Sequence, residues 1–70
     1  LKGREGVEFY RLLGELYQQK GDEMRSHKNF GLYFLKRGNK EMACYHLQEA
    51  LKRAQGKEKE EIEGLLEGCP

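Results

Sequence analysis

Proline and β-branched residues are almost absent from this sequence. Its single proline is Pro70, Val7 and Ile62 are its only β-branched residues, and it has no threonine. Strands are built mainly from β-branched and aromatic side chains, whereas the Leu, Glu, Lys, Gln, Arg and Ala that dominate here favour helices. The sequence therefore predicts an all-α fold.

Long apolar runs and a strong net charge are also missing. The longest dense apolar run, 32–35, has four residues, whereas a membrane-spanning helix needs roughly 20. The 13 Lys and Arg and 12 Asp and Glu leave a net charge of +1, with a mildly basic part over 1–40 and an acidic part over 41–70. We expect neither membrane insertion nor nucleic-acid binding, because the latter needs a concentrated basic surface.

Cysteine is scarce, and the chain is short. Cys44 and Cys69 are too few to indicate a disulfide framework, so two unpaired thiols are predicted, with a bridge between helix and tail as the open alternative. Seventy residues make a single domain, 1–70, whose core is marginal. Because the chain begins with Leu1, we expect a piece excised from a longer protein.

Glycines divide the chain at regular intervals. Gly21-Asp22, Gly38-Asn39 and Gly56 are almost evenly spaced along it. Each glycine suits the left-handed residue that ends a helix, and each Asp or Asn suits the N-cap of the next helix. The pattern predicts antiparallel helical hairpins made of four helices, over about 5–20, 22–37, 39–55 and 57–67.

Apolar residues are arranged differently in the four segments. The second carries them on two sides, so we expect it to lie between the first and the third. The fourth has a narrow stripe and an otherwise charged surface, which is typical of a capping helix. The stripes of the first and fourth segments are Phe9, Leu13, Leu16 and Tyr17, with Tyr10 at the edge, and Ile62, Leu65 and Leu66.

Two overlapping stretches repeat one another at a constant offset. Leu13-Gly14, Tyr17, Gly21-Asp22, Ser26, Phe30 and Tyr33 recur as Phe30-Gly31, Phe34, Gly38-Asn39, Ala43, Leu47 and Ala50. Glycine inside a helix costs about 1 kcal/mol relative to alanine. We therefore expect the next helix to pack closely against both Gly14 and Gly31.

This pattern resembles the tetratricopeptide repeat, a helical hairpin of about 34 residues. The signature spacing is matched best over 27–50, and the resemblance covers about 7–55. The sequence departs from the family pattern at three positions: Tyr10 and His27 stand where Trp is favoured, and Gln55 stands where Pro is common. The resemblance implies a fragment of a right-handed superhelix that binds proteins or peptides. Because the offset is half of the repeat length, the second helix can open or close a repeat, and the choice of concave face stays open.

A second resemblance concerns the order of motifs along the chain. The order of these motifs is similar to that in the C-terminal repeat region of bacterial zinc metallopeptidases that act on outer-membrane proteins. The motifs are, in order, Leu-Leu-Gly-x-Leu-Tyr, Phe-Gly-Leu-Tyr-Phe-Leu-Lys-Arg-Gly-Asn, Ala-x-Tyr-His-Leu-x-x-Ala-Leu and a charged helix. Those enzymes carry His-Glu-x-x-His in an upstream domain, and this motif is absent here. The resemblance implies an inert recruiting or regulatory tail in the bacterial cell envelope.

Candidate catalytic and metal-binding residues have simpler interpretations. Cys44 and His46 are two residues apart on a helix, about 200° around its axis, so they cannot chelate together. His27 and His46 share apolar faces and are expected to be packed histidines, and neither Cys44 nor Ser26 has a base and an orienting group. We expect no catalytic residue, cofactor or metal, and a solvated helix face at Glu58, Glu60, Glu61 and Glu63.

The expected binding residues are Arg25, Lys28, Leu32 and Lys36, here called the basic strip. They line the concave side if the second helix opens a repeat, with Leu32 exposed among positive charges. Such a surface suits an acidic or C-terminal peptide with one apolar anchor. The predicted function is a protein–protein interaction module that binds a protein, a peptide or a domain of its parent. The alternative is a structural cap or a homodimerisation segment that buries Leu32 against a second copy.

Overall fold

The computed structural model describes the backbone of residues 2–70 and the side chains of residues 6–70. It contains four helices: α1 (Lys2–Gln19), α2 (Glu23–Lys36), α3 (Lys40–Leu51) and α4 (Gly56–Leu65). No strand occurs in these residues, and none of their helices is long and apolar enough to cross a membrane. The prediction of an all-α fold is confirmed, with each helix close to its predicted place.

The first two connections are compact and use the residues that the sequence indicated. Gly21 and Gly38 both adopt φ +80°. The side chains of Asp22 and Asn39 each accept a hydrogen bond from a backbone N–H in the first turn of the following helix. Because three residues join α1 to α2 and α2 to α3, these pairs form helical hairpins.

The third connection differs from the prediction, because α3 ends at Leu51 rather than near Gln55. Arg53 and Ala54 donate to the carbonyls three residues earlier, Ala50 and Leu51, so the chain leaves the helix in tight turns. Gly56 has φ +57° but stands at the start of α4, where it turns the chain into that helix.

Two interior glycines let consecutive helices approach closely. A Cβ added to Gly14 would lie 2.9 Å from the ring of Phe30 on α2, and one added to Gly31 would lie 2.7 Å from the side chain of Leu47 on α3. The Ser26 hydroxyl also donates to the Gly14 carbonyl at 2.8 Å. The expectation of close packing at both glycines is confirmed, and α2 lies between α1 and α3.

The core is small and lies toward the C-terminal half. Leu47, Ala50 and Ile62 are fully buried together. The predicted apolar stripe of α4 is confirmed: Ile62 is fully buried, and Leu65 and Leu66 are partly buried around the same cluster. The cluster also contacts Met24, Leu35, Leu51 and Ala54. Helix α4 thus closes one end of the helical row.

The predicted stripe of α1 is only partly buried: Leu13 and Tyr17, with Tyr10 at the edge, are partly buried, whereas the other two members are exposed. Phe9 and Leu16 are 57% and 45% exposed, and Leu12 beside them is 53% exposed. Helix α2 packs on the opposite side of α1, because Gly14 admits the Phe30 ring there. The outer stripe of α1 is therefore a solvent-exposed apolar surface.

The prediction of two unpaired thiols was wrong. Cys44 and Cys69 form a disulfide that spans 25 positions, with their Cα atoms 5.9 Å apart. Cys44 lies in the first half of α3 and Cys69 follows α4. Since the two helices form a hairpin, the beginning of the first and the end of the second come together, and the bridge ties the tail onto α3.

Candidate functional site

The basic strip follows one side of α2. Its members are spaced by three or four residues, the interval that aligns side chains along a helix. Arg25 and Lys36 are exposed, whereas Lys28 and Leu32 are partly buried. The geometry therefore aligns the four residues, and α4 accounts for the difference in exposure of Lys28.

Lys28 is the residue of the strip that α4 engages most closely. Its Nζ donates to Glu58 Oε1 at 2.9 Å and to Glu61 Oε1 at 2.7 Å, and its side chain is only 20% exposed. Burial alone would lower the pKa of Lys28, but the hydrogen bonds to Glu61 and Glu58 outweigh it and raise the pKa. The same hydrogen bond lowers the pKa of Glu61. Lys28 is thus a fully charged ammonium held between two carboxylates.

Arg25 binds carboxylates from two directions. Its guanidinium lies 2.8 Å from Asp22 Oδ2 and 3.3 Å from Glu58 Oε2. Asp22 also accepts the Arg25 backbone N–H as the N-cap of α2. That backbone hydrogen bond, followed by the one from the guanidinium, lowers the pKa of Asp22. Glu58 therefore bridges both cations at the N-terminal half of the strip.

The C-terminal half of the strip is more open. Lys36 is exposed in the last turn of α2, but Leu32 is less exposed than the sequence suggested. The exposed large hydrophobic side chains of the described region lie elsewhere, on α1 and α3. A ligand at this end of the strip would therefore contact one exposed cation, Lys36, and one partly buried apolar side chain, Leu32.

Two of the ion pairs between α2 and α4, Arg25–Glu58 and Lys28–Glu61, are weak enough to exchange, whereas Lys28–Glu58, with side chains 20% and 29% exposed, is more sheltered. A pair at the protein surface contributes about 0.2–1 kcal/mol, because water screens it and two long side chains must be held still. Glu61 and Arg25 are about half exposed, so their contacts belong to this class. The carboxylates of α4 occupy the positions that an acidic ligand of the strip would take.

His27 and His46 form a contact that sequence reasoning missed. Their Nδ1 atoms lie 3.0 Å apart, so one ring donates a hydrogen bond and the other accepts it. The His46 ring also stacks on Phe34 at 5.6 Å between centroids. Burial lowers the pKa of both histidines, helped by Arg53 for His27 and by His27 itself for His46. The expected packed histidines are only partly buried, and they are paired with each other.

Two clefts lie outside the strip. A cleft of about 320 Å³ beside the histidine pair is lined by Gln18, Gly21, Glu23, Ser26, His27, Phe30 and His46. A more open one of about 830 Å³ runs along the disulfide, lined by Lys40, Glu41, Cys44, Tyr45, Gln48, Gly68, Cys69 and Pro70. Within the described residues, no group of three or more His, Cys, Asp or Glu side chains is placed to hold a metal ion.

No family model, curated protein or solved structure matches this chain.

Proposed function

We propose that this chain is a protein–protein interaction module of the tetratricopeptide type, with no chemistry of its own. Its partner is an acidic peptide segment that binds along the basic strip of α2. The observation that carries the proposal is the pair of hydrogen-bonded ion pairs that Lys28 forms with Glu58 and Glu61, at 2.9 and 2.7 Å. The strip already binds two carboxylates presented by a helix, and a partner would present the same groups.

Binding of a partner requires that α4 release these cations. The apolar contacts of α4 through Ile62 can persist while Glu61, which is 58% exposed, rotates away from Lys28; release of Glu58, which is 29% exposed, is the more costly step. The partner's carboxylates then replace Glu58 and Glu61, and its apolar side chain packs on Leu32. Because the partner's carboxylates only replace those of α4, the net gain in binding free energy is small. We therefore expect weak binding with a strong dependence on salt concentration.

The test uses a fluorescently labelled peptide of Glu and Asp residues with one central Leu, titrated with the protein. Lys28→Gln should weaken binding by about 3- to 10-fold, since one charge-assisted contact is lost. Combining Glu58→Gln with Glu61→Gln should tighten binding by a similar factor, because the competing carboxylates are removed. General charge attraction would change the affinity in the same two directions, because Lys28→Gln lowers the net charge and the double variant raises it, so a charge-matched control is needed.

Lys52→Gln provides the matched control. Lys52 lies at the end of α3, where its side chain is 69% exposed, and its removal changes the net charge as much as Lys28→Gln does. It should leave the affinity unchanged. The proposal fails if wild type and the Glu58→Gln/Glu61→Gln protein both ignore the peptide, or if Lys52→Gln weakens binding as much as Lys28→Gln.

The parentage that we propose is the C-terminal region of an envelope metallopeptidase, acting as its recruiting tail. The Cys44–Cys69 disulfide supports an oxidising compartment such as the periplasm, since cytosolic thiols are kept reduced. The sequence upstream of Leu1 tests this parentage directly. A full-length chain without His-Glu-x-x-His would contradict it.

The second candidate function is structural, as a cap or a self-association segment. The observation that favours it is the exposed apolar stripe of α1, which a soluble module would leave uncovered at a cost in solubility.

A further inference from the structure

We infer that the outer stripe of α1 is a dimerisation seam on which a second copy of this chain docks, with the two α1 helices parallel. The seam consists of Phe9, Leu12 and Leu16, which are 57%, 53% and 45% exposed. This inference rests on the second candidate function, self-association, and specifies its surface and orientation. It does not depend on the peptide-binding proposal, because the seam and the basic strip lie on different helices.

The spacing of the seam is that of a single heptad of a coiled coil. Intervals of three and four residues, from Phe9 to Leu12 to Leu16, are those of positions a, d and a in a heptad. Gly14, two positions after Leu12, falls at position f, on the opposite side of the helix. This side faces the Phe30 ring of α2, so packing within the chain leaves the whole seam free.

The internal repeat argues against a further repeat helix as the occupant of the seam. Phe9 and Leu16 occupy the positions that Ala43 and Ala50 hold two offsets further along the chain. On α3 both alanines are fully buried, and Leu47 between them inserts against Gly31 of α2. Large side chains in place of both alanines prevent so close an approach. The seam suits the wider spacing at which side chains interdigitate between two helices.

The charged residues beside the seam differ in how they meet in a parallel and in an antiparallel dimer. In heptad terms Glu8 and Glu15 are at position g and Lys20 is at position e; the Lys20 backbone still donates to Leu16 and so continues the last turn. An antiparallel pair would bring Glu8 and Glu15 of the two copies together. Within the chain Arg11 already pairs with Glu8 and Glu15, both at 2.7 Å, but the Glu15 side chain is 48% exposed and can accept a second cation. A parallel pair places Lys20 of the second copy against Glu15, twice per dimer, and this contact favours the parallel arrangement.

The short length of the seam determines the strength of the dimer. Stable protein–protein interfaces bury roughly 1000 Å² or more in total, which is more than three half-exposed apolar side chains per copy can supply. We expect reversible dimerisation with a dissociation constant in the micromolar range or weaker. Gln19 at the next d position ends the apolar seam and limits its extent.

The experiment is sedimentation equilibrium of the whole chain between about 5 and 500 μM, a range that brackets such a constant. Wild type should pass from monomer to dimer. Leu12→Glu, at the centre of the seam, should remain monomeric, and Leu32→Glu on α2 should dimerise like wild type. Circular dichroism checks that each variant keeps its helices.

A charge exchange tests the parallel orientation. Glu15→Lys alone and Lys20→Glu alone should each weaken the dimer by about 3- to 10-fold, because each sets like charges against one another in two places. The double variant should restore the wild-type constant. A wild type that stays monomeric throughout, a dimer lost in Leu32→Glu but kept in Leu12→Glu, or a double variant no better than the single ones would each overturn the inference.

Discussion

Reduction of the Cys44–Cys69 disulfide is the perturbation whose effect can be worked out most fully. The bridge closes a loop of 25 positions that contains most of α3 and all of α4. It leaves the α1–α2 hairpin outside the loop. Reducing the wild-type protein removes this constraint without changing any side chain, so the comparison needs no correction for a cavity.

The expected loss follows from the entropy of loop closure. For a loop of 25 residues, the chain-entropy relation gives about 11.7 cal/mol/K, or about 3.5 kcal/mol at 25 °C. A domain of 70 residues has a total free energy of unfolding of roughly 3.5–10 kcal/mol. The bridge therefore contributes a third or more of the stability, and the reduced protein should be close to unfolded if the total lies at the lower end.

Urea unfolding followed by far-UV circular dichroism, with and without reductant, measures this loss. The midpoint should fall on reduction, and native-state hydrogen exchange should rise most in α4, which the bridge holds onto α3. The Cys44→Ala/Cys69→Ala protein should not respond to reductant, and its midpoint should lie at or slightly below that of the reduced wild type, because Ala leaves a small gap at the buried Cys44. Equal midpoints for oxidised and reduced wild type would refute the loop-entropy argument.

Two further predictions concern the helix interfaces. Gly31→Ala should lower the free energy of unfolding by about 1–3 kcal/mol, because its Cβ would lie 2.7 Å from Leu47, which is fully buried and cannot move aside. Gly64→Ala should raise the free energy of unfolding by up to about 1 kcal/mol, because a Cβ there would have nothing within 4 Å. Thermal unfolding compares the two variants, and equal melting temperatures would contradict the close packing. Burial lowers the pKa of His27 and His46 below the ordinary 6.5, so as the pH falls the unfolded chain takes up protons first. Stability should therefore decrease from about pH 6.5 down to the folded-state pKa values, measurable as a falling urea midpoint that the double change to Gln flattens; a midpoint that rises over this window would contradict the sign.

The fold was predictable because its signals are local. A glycine with φ +80° followed by a capping Asp or Asn ends one helix and starts the next within two residues. The close approaches at Gly14 and Gly31 were predictable for a related reason, since an interior glycine is unfavourable unless a neighbour needs the space. The α4 stripe led by Ile62 followed from helical periodicity alone.

The features that sequence reasoning missed depend on which residues meet in space. His27 and His46, like Gly31 and Leu47, face each other across the α2–α3 hairpin. Treating each histidine separately concealed that pairing. The pairing of Cys44 with the tail follows from the α3–α4 hairpin in the same way, and amphipathic periodicity could not reveal which side of α1 meets α2. Gly14 did indicate the side that α2 contacts, but the apolar stripe alone did not show that Phe9 and Leu16 lie away from that side.

The measurement that tests the central claim most directly is an NMR titration of the labelled chain with the acidic peptide. A module that binds through the basic strip should show amide shifts confined to 25–36 of α2 and to 58–61 of α4, where the carboxylates are displaced. Shifts spread evenly over all four helices, or none at a millimolar excess of peptide, would contradict the account.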